Sequence, residues 1–279
     1  MNIRIWGARG SIPVSGMEYI KYGGDTTCVE IRTQDDEIII IDAGSGIRRL
    51  GNKLFAEQKR HYHLIFTHAH WDHLMGFPFF KPIYFRETQI DMFGCPFAQA
   101  SIQEFLKESM SPPHFPVKLS DLKAVLSYHG TCSGAFNIGS VQISPIFLSH
   151  PNQGIGYKFI EQGKSFVFIT DNELSFQHPG GLEYKAYADF SRDADLLIHD
   201  AEFTDQEYVR TKGWGHSLYR DALQLASDAG VKRFGMFHHN HERDDAAVDE
   251  IVQNCQSILH EQRSMFDCFA VHQGMEIEI

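Results

Sequence analysis

Short apolar runs divided by turn-forming residues mark the first third of the chain as a set of strands. Such runs occupy residues 3–6, 27–32 and 37–41, and the last of them leads into a glycine-containing turn. A helix is predicted from residue 47 to about residue 58. The apolar run 63–66 is a further predicted strand, and it ends directly at a cluster of histidines. The histidines are therefore expected on a loop beyond a buried strand, where functional sites are usually built.

The rest of the chain continues to alternate strand and helix patterns. Further strands are predicted at residues 141–147, 155–160, 165–169, 196–198 and 233–237. Further helices are predicted at residues 97–107, 218–229 and 244–262. Residues 77–116 are rich in Phe and Pro and are expected to form a short capping insertion beside the histidine loop. Because the strands are too many for one small sheet, we predict an α/β (α+β) fold with two sheets covered by helices, in a single domain over residues 1–279.

Charge and composition narrow the expected partners. With 36 acidic residues against 25 lysines and arginines, the net charge is -11, and its field repels polyanions. We therefore expect a small substrate and no nucleic acid partner. Five cysteines without a CxxC pair are expected to be reduced and mostly buried. The chain begins with a strand pattern and has no run of about 18 apolar residues, which predicts a cytoplasmic protein without a membrane span.

Histidine is the residue type that indicates a site, since the chain contains 16 of them. Four metal-binding side chains, His68, His70, Asp72 and His73, fall within six positions, a density typical of metal sites. On an extended segment alternate residues face one way, so His68 and His70 can reach one ion. A turn near Asp72 can direct Asp72 and His73 to a second ion. Imidazole and carboxylate ligands suit zinc, manganese or iron.

Three further candidates, His150, Asp171 and His238, follow predicted strands. The alternative, in which all of these side chains are separately satisfied polar residues, does not explain their common placement at strand ends. The interpretation as metal ligands is therefore favoured.

These motifs together resemble those of the metallo-β-lactamase superfamily. The resemblance spans nearly the whole chain and rests on residues 41–44, 67–73, 149–151, 170–171 and 237–238. It implies a four-layer αββα sandwich with two divalent metal ions, of which zinc is the first expectation and manganese or iron the alternatives. It also implies that one ion is bound by His68, His70 and His150, the other by Asp72, His73 and His238, and both by Asp171.

Several positions refine this resemblance. His239 directly follows His238, so the sequence leaves open which of the two is the last ligand. Asp42 resembles the aspartate of the family's first motif, which more often supports the histidine loop than binds metal. Many β-lactamases have a cysteine where this chain has Asp171, and flavo-diiron oxidoreductases have a glutamate where it has Ala69. Both of those branches are therefore disfavoured.

Residues 199–203 and 215–217 resemble elements of the ribonuclease Z and cyclic phosphodiesterase branch. In that branch a carboxylate and a histidine form a proton-transfer pair, which corresponds to Asp200 and His216. The predicted catalytic residues are these two and Asp72. The alternative for the second segment is a helix N-cap at Ser217 with a packed histidine beside it.

The N-terminal residues 6–13 and 22–28 resemble bacterial proteins related to phosphoribosyl cyclic phosphodiesterases. Glycines there would let backbone N–H groups approach a phosphate, and Arg9 would add charge-assisted hydrogen bonds. The alternative is that these segments are only turns.

The predicted function is therefore that of a two-metal phosphodiesterase that acts on a small cyclic phosphate or nucleotide through a metal-bridging hydroxide. The alternatives are a thioesterase or lactonase on the same metal site, and a non-catalytic module that binds a nucleotide or a metal. The aromatic residues of the insertion are candidates for a base-binding pocket, for the core or for the contact of a homodimer. They are Phe79, Phe80, Tyr84, Phe85 and Phe115.

Overall fold

The computed structural model describes residues 1–95, 102–132, 134–264 and 266–279. Within them, two seven-stranded sheets form the centre of the molecule. The first sheet contains β1 (Asn2–Gly7), β2 (Cys28–Arg32), β3 (Ile38–Ile41), β4 (His61–Ile65), β5 (Gln89–Gly94), β6 (Val125–Gly130) and β14 (Glu276–Glu278). Its spatial order is β14-β1-β2-β3-β4-β5-β6.

The second sheet has the order β13-β12-β11-β10-β9-β8-β7. Its strands are β7 (Phe136–Ile138), β8 (Val141–Phe147), β9 (Ile155–Glu161), β10 (Lys164–Ile169), β11 (Leu196–Asp200), β12 (Arg233–Phe237) and β13 (Asp267–Ala270). In each sheet four neighbouring strands run parallel, β3 to β6 in the first and β10 to β13 in the second. Parallel strands bring their carboxyl ends to one edge, and that edge carries the candidate site.

Helices cover the outer face of each sheet. Those of the first half are α1 (Ile47–Ala56), α2 (Trp71–Leu74) and α3 (Ile102–Ser109). Those of the second half are α4 (Tyr184–Ser191), α5 (Asp205–Thr211), α6 (Tyr219–Asp228) and α7 (Asp245–Glu261). Short 3-10 helices occupy Met17–Tyr19, Phe77–Phe79, Lys81–Tyr84 and Leu119–Asp121.

The apolar run of β3 shows why the sequence folds in layers. Ile39 and Ile41 pack in the core between the two sheets, whereas Ile38 and Ile40 pack in the core beneath α1. Side chains alternate along a strand, so a strand buried on both faces must be apolar at every position. The predicted αββα sandwich is confirmed. That the chain is a single domain stays a prediction.

The prediction of an insertion over residues 77–116 is wrong in part, because β5 lies within it and pairs on both sides inside the first sheet. Strands β6, β7, β13 and β14 were also not predicted. In β5 the buried residues are Ile90, Met92 and Gly94, and the polar Asp91 between the first two makes a weak apolar signal. Of the helix predicted over 97–107, residues 97–101 lie outside the described ones, and the described residues contain α3 over Ile102–Ser109.

The cysteine prediction is wrong for one pair, since Cys95 and Cys132 form a disulfide. They are 37 residues apart in sequence, but they follow β5 and β6, which are neighbours in the first sheet. Strand pairing therefore brings together two cysteines whose spacing predicts no bond. Cys28, Cys255 and Cys268 are free and buried, as predicted.

None of the helices in the described part of the chain is long and apolar enough to cross a membrane. The cytoplasmic location stays a prediction.

Candidate metal centre

The candidate ligands meet where strands of the two sheets end. The histidine loop follows β4 of the first sheet, and Asp171 and His238 follow β10 and β12 of the second. His150 follows β8 by three residues. The structure thereby brings together all seven of the ligands predicted from the sequence, and all except His70 are buried.

Asp42 fastens the histidine loop. Its Oδ1 accepts a hydrogen bond from the backbone N–H of Thr67 at 2.8 Å, and its Oδ2 accepts one from the Thr67 hydroxyl at 2.7 Å. The same Oδ2 lies 2.7 Å from Nδ1 of His73. Burial raises the pKa of Asp42, and its contact with His73 opposes that shift. Asp42 thus orients His73 so that Nε2 faces the other ligands, the supporting role that the resemblance implied.

The first cluster consists of His68, His70, His150 and Asp171, whose candidate ligand atoms all lie within 4.8 Å of one another. Asp171 Oδ2 lies 3.4 Å from His68 Nε2 and 3.9 Å from His150 Nε2. His150 Nε2 is also 3.0 Å from His70 Nδ1. His150 Nδ1 lies 2.8 Å from the carbonyl oxygen of Gly215, which fixes the ring with Nε2 inward.

The second cluster consists of Asp72, His73, Asp171 and His238, within the same limit of 4.8 Å. His73 Nε2 lies 3.3 Å from Asp72 Oδ2 and 3.4 Å from Asp171 Oδ1. His238 Nε2 lies 3.1 Å from Asp72 Oδ2. Since Asp171 directs Oδ2 at the first cluster and Oδ1 at His73, its carboxylate stands between the two.

Burial and charge act together on these groups. Burial alone would raise the pKa of Asp171, but the imidazoles of His238 and His73 hold it well below its usual range. Burial lowers the pKa of His68 well below the usual range and that of His150 to about 3. Burial alone would lower the pKa of His73, but the nearby carboxylates, of which Asp72 acts most strongly, raise it well above its usual range. The centre therefore holds ionised carboxylates and neutral imidazoles at His68 and His150, the protonation states that metal ligands require, whereas His73 has to release a proton when it binds a cation.

The ligand atoms fit divalent metal ions. Nε2 of His68 and Nε2 of His73 are buried and have no hydrogen-bond partner among the described residues. A buried polar atom without a partner costs about 1–3 kcal/mol. A dication would be the missing partner of both nitrogens once His73 has released its proton, and the surrounding imidazoles and carboxylates are its usual ligands.

Three residues of the site have left-handed backbone conformations that side chains other than glycine adopt rarely. They are Asp42 (φ 60°), Asp171 (φ 55°) and His238 (φ 58°). Asp42 and His238 directly follow β3 and β12, and Asp171 follows the end of β10 by two residues. Such conformations cost of order 1–3 kcal/mol and persist where the surroundings impose them, which is common at functional sites.

The predicted pair of Asp200 and His216 is in contact, with Asp200 Oδ2 3.1 Å from His216 Nδ1. That nitrogen also lies 3.4 Å from Glu202 Oε2 and 4.0 Å from Asp171 Oδ2. Burial alone would lower the pKa of His216, but the nearby carboxylates of Glu202 and Asp200 raise it to about 9. The pair therefore lies at the edge of the metal ligands with its imidazole protonated.

The N-cap interpretation of Ser217 is wrong, because the N-cap of α6 is Leu218. The Ser217 hydroxyl instead donates to the carbonyl oxygen of Asn172 at 2.5 Å. This bond ties the segment of His216 to the loop that carries Asp171.

His238 and His239 face in different directions. Nε2 of His238 points at the carboxylates of the centre, whereas Nε2 of His239 lies 2.7 Å from the carbonyl oxygen of Val271. Burial lowers the pKa of His239 to about 3. The structure thus places His238 in the cluster.

The phosphate role for Arg9 is wrong. Its side chain is fully buried and donates hydrogen bonds to the carbonyl oxygens of Gly23, Asn240 and Arg243. Arg9 therefore joins the N-terminal loop to the segment after β12 and has no exposed donor for a substrate.

Sequence reasoning missed two groups that position ligands. Glu202 Oε2 lies 2.8 Å from His238 Nδ1, and the backbone N–H of Ser11 donates to Asp72 Oδ2 at 2.9 Å. The sequence does contain a signal for Glu202. It stands two residues after Asp200, and alternate residues of an extended segment face the same side. No local signal connects Ser11 with Asp72.

Two pockets flank the centre. The pocket beside His70 has a volume of about 520 Å³ and is lined largely by aromatic and apolar side chains, among them Trp71, Phe79 and Phe115. The pocket beside His216 has a volume of about 830 Å³ and includes Glu202, Arg210 and Trp214. Of the five aromatic candidates in the insertion, Phe79 and Phe115 line a pocket, whereas Phe80 is buried in the core.

A family model described as the beta-lactamase superfamily domain matches residues 37–239. The chain belongs to the metallo-β-lactamase superfamily. Within it, the chain is similar to ribonuclease Z of Haloferax volcanii, with 22% identity over 88% of this chain and 87% of that protein. Ribonuclease Z of Haloarcula marismortui is 23% identical, over 99% of this chain and 96% of the relative.

Solved structures share the fold. The metallo-beta-lactamase fold protein YhfI from Bacillus subtilis has a TM-score of 0.72 at 15% identity and covers 100% of this chain and 99% of its own. A diphosphatase from the PhnP family has a TM-score of 0.72 at 16% identity, and the match covers 100% of this chain and 97% of the diphosphatase. The short form of human tRNase Z has a TM-score of 0.66 at 18% identity, and the match covers 100% of this chain and 99% of the tRNase Z. The predicted superfamily, its sandwich fold and the class of metal-dependent hydrolase are confirmed.

The expectation that nucleic acid is not a partner is wrong. It is overturned by full-length similarity to ribonuclease Z proteins and by the structural likeness to a tRNase Z. The physical reason is that net charge sums over the whole surface. A negative total does not describe the field at one site, where bound cations are often the largest local charges.

Proposed function

We propose that this chain is a two-metal phosphodiesterase, with small cyclic phosphates or nucleotides as its first substrate class. The observation that carries the proposal is the position of His216. Its Nδ1 is held by Asp200 at 3.1 Å and lies 4.0 Å from Asp171, the carboxylate between the two clusters. The ring of His216 also lines the pocket beside the centre, so its protonated imidazole stands where it can supply a proton to the oxygen that leaves phosphorus.

In this proposal one divalent ion is held by the first cluster, a second by the second cluster, and Asp171 serves both. Zinc is the ion proposed, since imidazoles predominate among the ligands. When bound, such ions activate water at neutral pH and neutralise charge on a phosphoryl group.

The chain's own residues orient the reaction. Asp200 fixes the imidazole of His216 through Nδ1, which leaves Nε2 as the nitrogen that gives a proton to the leaving oxygen. Asp42 and Glu202 hold His73 and His238 through the opposite ring nitrogens. Because these contacts exist before substrate binds, little reorganisation is needed during reaction.

The flanking pockets suit the two substituents of a phosphodiester. An aromatic base can stack in the pocket of Trp71, Phe79 and Phe115 beside His70. The pocket beside His216 would then receive the leaving group. The alternative interpretation of the aromatic residues is a homodimer contact. In that case a second copy of the chain would cover the aromatic pocket beside His70.

The test measures metal content and hydrolysis of bis(p-nitrophenyl) phosphate together, with Asp171→Ala as the inactive variant. Two metals per chain with turnover that Asp171→Ala abolishes is the expected result. A screen of cyclic nucleotides, cyclic sugar phosphates and RNA with a 3′ extension then identifies the substrate class. Turnover of thioesters or lactones without any phosphodiester turnover would replace the proposal by the acyl alternative.

The screen includes RNA because the two relatives named above are ribonuclease Z proteins. Cleavage of 3′-extended RNA, with cyclic phosphates unchanged, would assign the same chemistry to a larger substrate. Metal-loaded protein that binds a cyclic nucleotide but turns over none of these compounds would favour the non-catalytic module.

A further inference from the structure

A second group of metal-binding side chains lies on the first sheet, at the other end of β4 from the metal centre. We call it the rim cluster, and it consists of Glu37, His61, His63, Asp91 and His129. His61, His63 and Ile65 are alternate residues of β4, and Ile65 packs between the sheets. The two histidines therefore face the inter-sheet side, where the core ends and solvent begins.

Strand register brings the cluster together. Asp91 of β5 lies opposite His63 of β4, and His129 of β6 lies opposite Phe93 of β5. Glu37 immediately precedes β3, whose Ile39 lies opposite His63. At about 3.3 Å per strand residue, His63 is roughly 16 Å from the start of the histidine loop at His68. The rim cluster is therefore separate from the metal centre.

Asp91 is shared by two imidazoles. Its Oδ2 lies 2.7 Å from Nε2 of His61, and its Oδ1 lies 3.0 Å from Nε2 of His129. Burial alone would raise the pKa of Asp91, but these two hydrogen bonds lower it. Asp91 is thus an ionised carboxylate at the centre of the group.

His63 has a lone pair that these hydrogen bonds do not use. Its Nε2 lies 3.0 Å from Glu37 Oε2, and because a carboxylate only accepts, this nitrogen carries the proton. Burial lowers the pKa of His63, so the ring is neutral and its Nδ1 is an acceptor. Nδ1 is buried, has no hydrogen-bond partner in the described part of the chain, and faces Asp91 Oδ2 at 3.9 Å.

We propose that the rim cluster binds one divalent transition metal ion of the zinc class, through His61, His63 and Asp91. Ligand atoms around tetrahedral zinc, with bonds of about 2.0–2.2 Å, lie roughly 3.3 Å apart. Asp91 Oδ2 lies 2.7 Å from His61 Nε2 and 3.9 Å from His63 Nδ1, and rotation of the two imidazole rings brings the three atoms to the tetrahedral separation when the ion binds. The ion satisfies the lone pair of His63, and His61 moves its proton to Nδ1 in order to bind.

The remaining members of the rim cluster support the ligands. Glu37 accepts from the second nitrogen of His63, which is the usual partner arrangement for a ligating histidine. His129 holds the second oxygen of Asp91. His61 is 45% exposed at its side chain, so the ion has a path from solvent. An ion here joins β4 to β5 and stabilises the first sheet far from the reaction.

The test counts bound metal in tag-free protein that has been stripped with a chelator and dialysed against Zn²⁺. Wild type is expected to bind one equivalent more than His61→Ala or Asp91→Asn. The matched control is His260→Ala, which removes an exposed histidine of α7 and should bind as wild type does. Asp91→Asn keeps the shape of the side chain, and circular dichroism of each variant verifies the fold.

A second measurement separates this site from the metal centre. In an Asp171→Ala background, Zn²⁺ should still raise the Tm, and adding Asp91→Asn should reduce that rise. Equal metal content in wild type, His61→Ala and Asp91→Asn would overturn the rim-cluster site. So would an equal loss in His260→Ala, which would indicate unspecific binding to surface imidazoles. Neither result depends on which reaction the chain catalyses.

Discussion

The carboxylate of Glu202 lies against the imidazole of His238, with Oε2 2.8 Å from Nδ1. The side-chain amide of Asn240 donates to the other oxygen, Oε1, at 2.8 Å. Both oxygens of Glu202 are thereby engaged, and the ring of His238 is fixed with Nε2 directed at Asp72. Partners of this kind set the tautomer and the basicity of a metal-binding histidine.

Glu202→Gln should therefore weaken binding of a divalent ion by about 10–100-fold, with a matching loss of turnover at limiting metal. The amide keeps the size of the side chain but loses the charge that supports His238. Competition with a chromogenic chelator measures the affinity. Glu242→Gln, at an exposed carboxylate, is the control, and an affinity equal in both variants would contradict the role of Glu202.

His216→Ala should lower turnover of a phosphodiester by about 10²–10⁴-fold while metal content stays at the wild-type value. The reason is that His216 is proposed to give a proton and is not among the proposed ligands. Asp200→Asn should act in the same direction, because it removes the charge that holds the ring. If His216→Ala lost metal in proportion to activity, the side chain would be a ligand and the proton-transfer role would fail.

Gly215→Ala should reduce metal affinity through His150. A Cβ at residue 215 would lie 2.2 Å from His150 Nδ1, so the ring would have to move away from the first cluster. Gly213 offers a matched control, since its φ of +88° resembles the +98° of Gly215 but a Cβ there meets nothing within 4 Å. Both variants carry a strained backbone, and a loss of metal in both alike would refute the steric explanation.

Asp195→Asn should destabilise the fold at neutral pH by about 1–2 kcal/mol, a value reduced for solvent screening of the exposed lysine ends. Asp195 accepts from Lys232 Nζ at 2.8 Å and from the backbone N–H of Ser165 at 2.9 Å. Burial would raise the pKa of Asp195, but these contacts and Lys164 lower it to about 2.

A folded-state pKa below the unfolded value means that this stabilisation is complete above about pH 4 and disappears as the pH falls towards 2. Urea unfolding of wild type and Asp195→Asn should therefore differ at pH 7 and converge over that interval. A difference that stays constant down to pH 2 would exclude the charge as its cause.

The local sequence determined the ligand-bearing loops and most strands and helices near them. Residues 67–73 combine a dense set of ligands with an apolar strand before them, and both signals are short-range. The same holds for Asp171 and His238, which follow the largely apolar strands β10 and β12. Strands such as β5 were missed because Asp91 interrupts their pattern, and the pairing that makes them strands lies with distant partners.

Only the tertiary structure decided which distant groups meet. Glu202 reaches His238 across 36 residues, Ser11 reaches Asp72 across 61, and Cys95 meets Cys132 through strand pairing. The rim cluster is the clearest case, because His61 and His129 look like isolated histidines until the register of β4, β5 and β6 places them around Asp91. The physical reason is that apolar periodicity specifies which face of a strand is buried, whereas contacts between strands depend on topology and register, which no local pattern encodes.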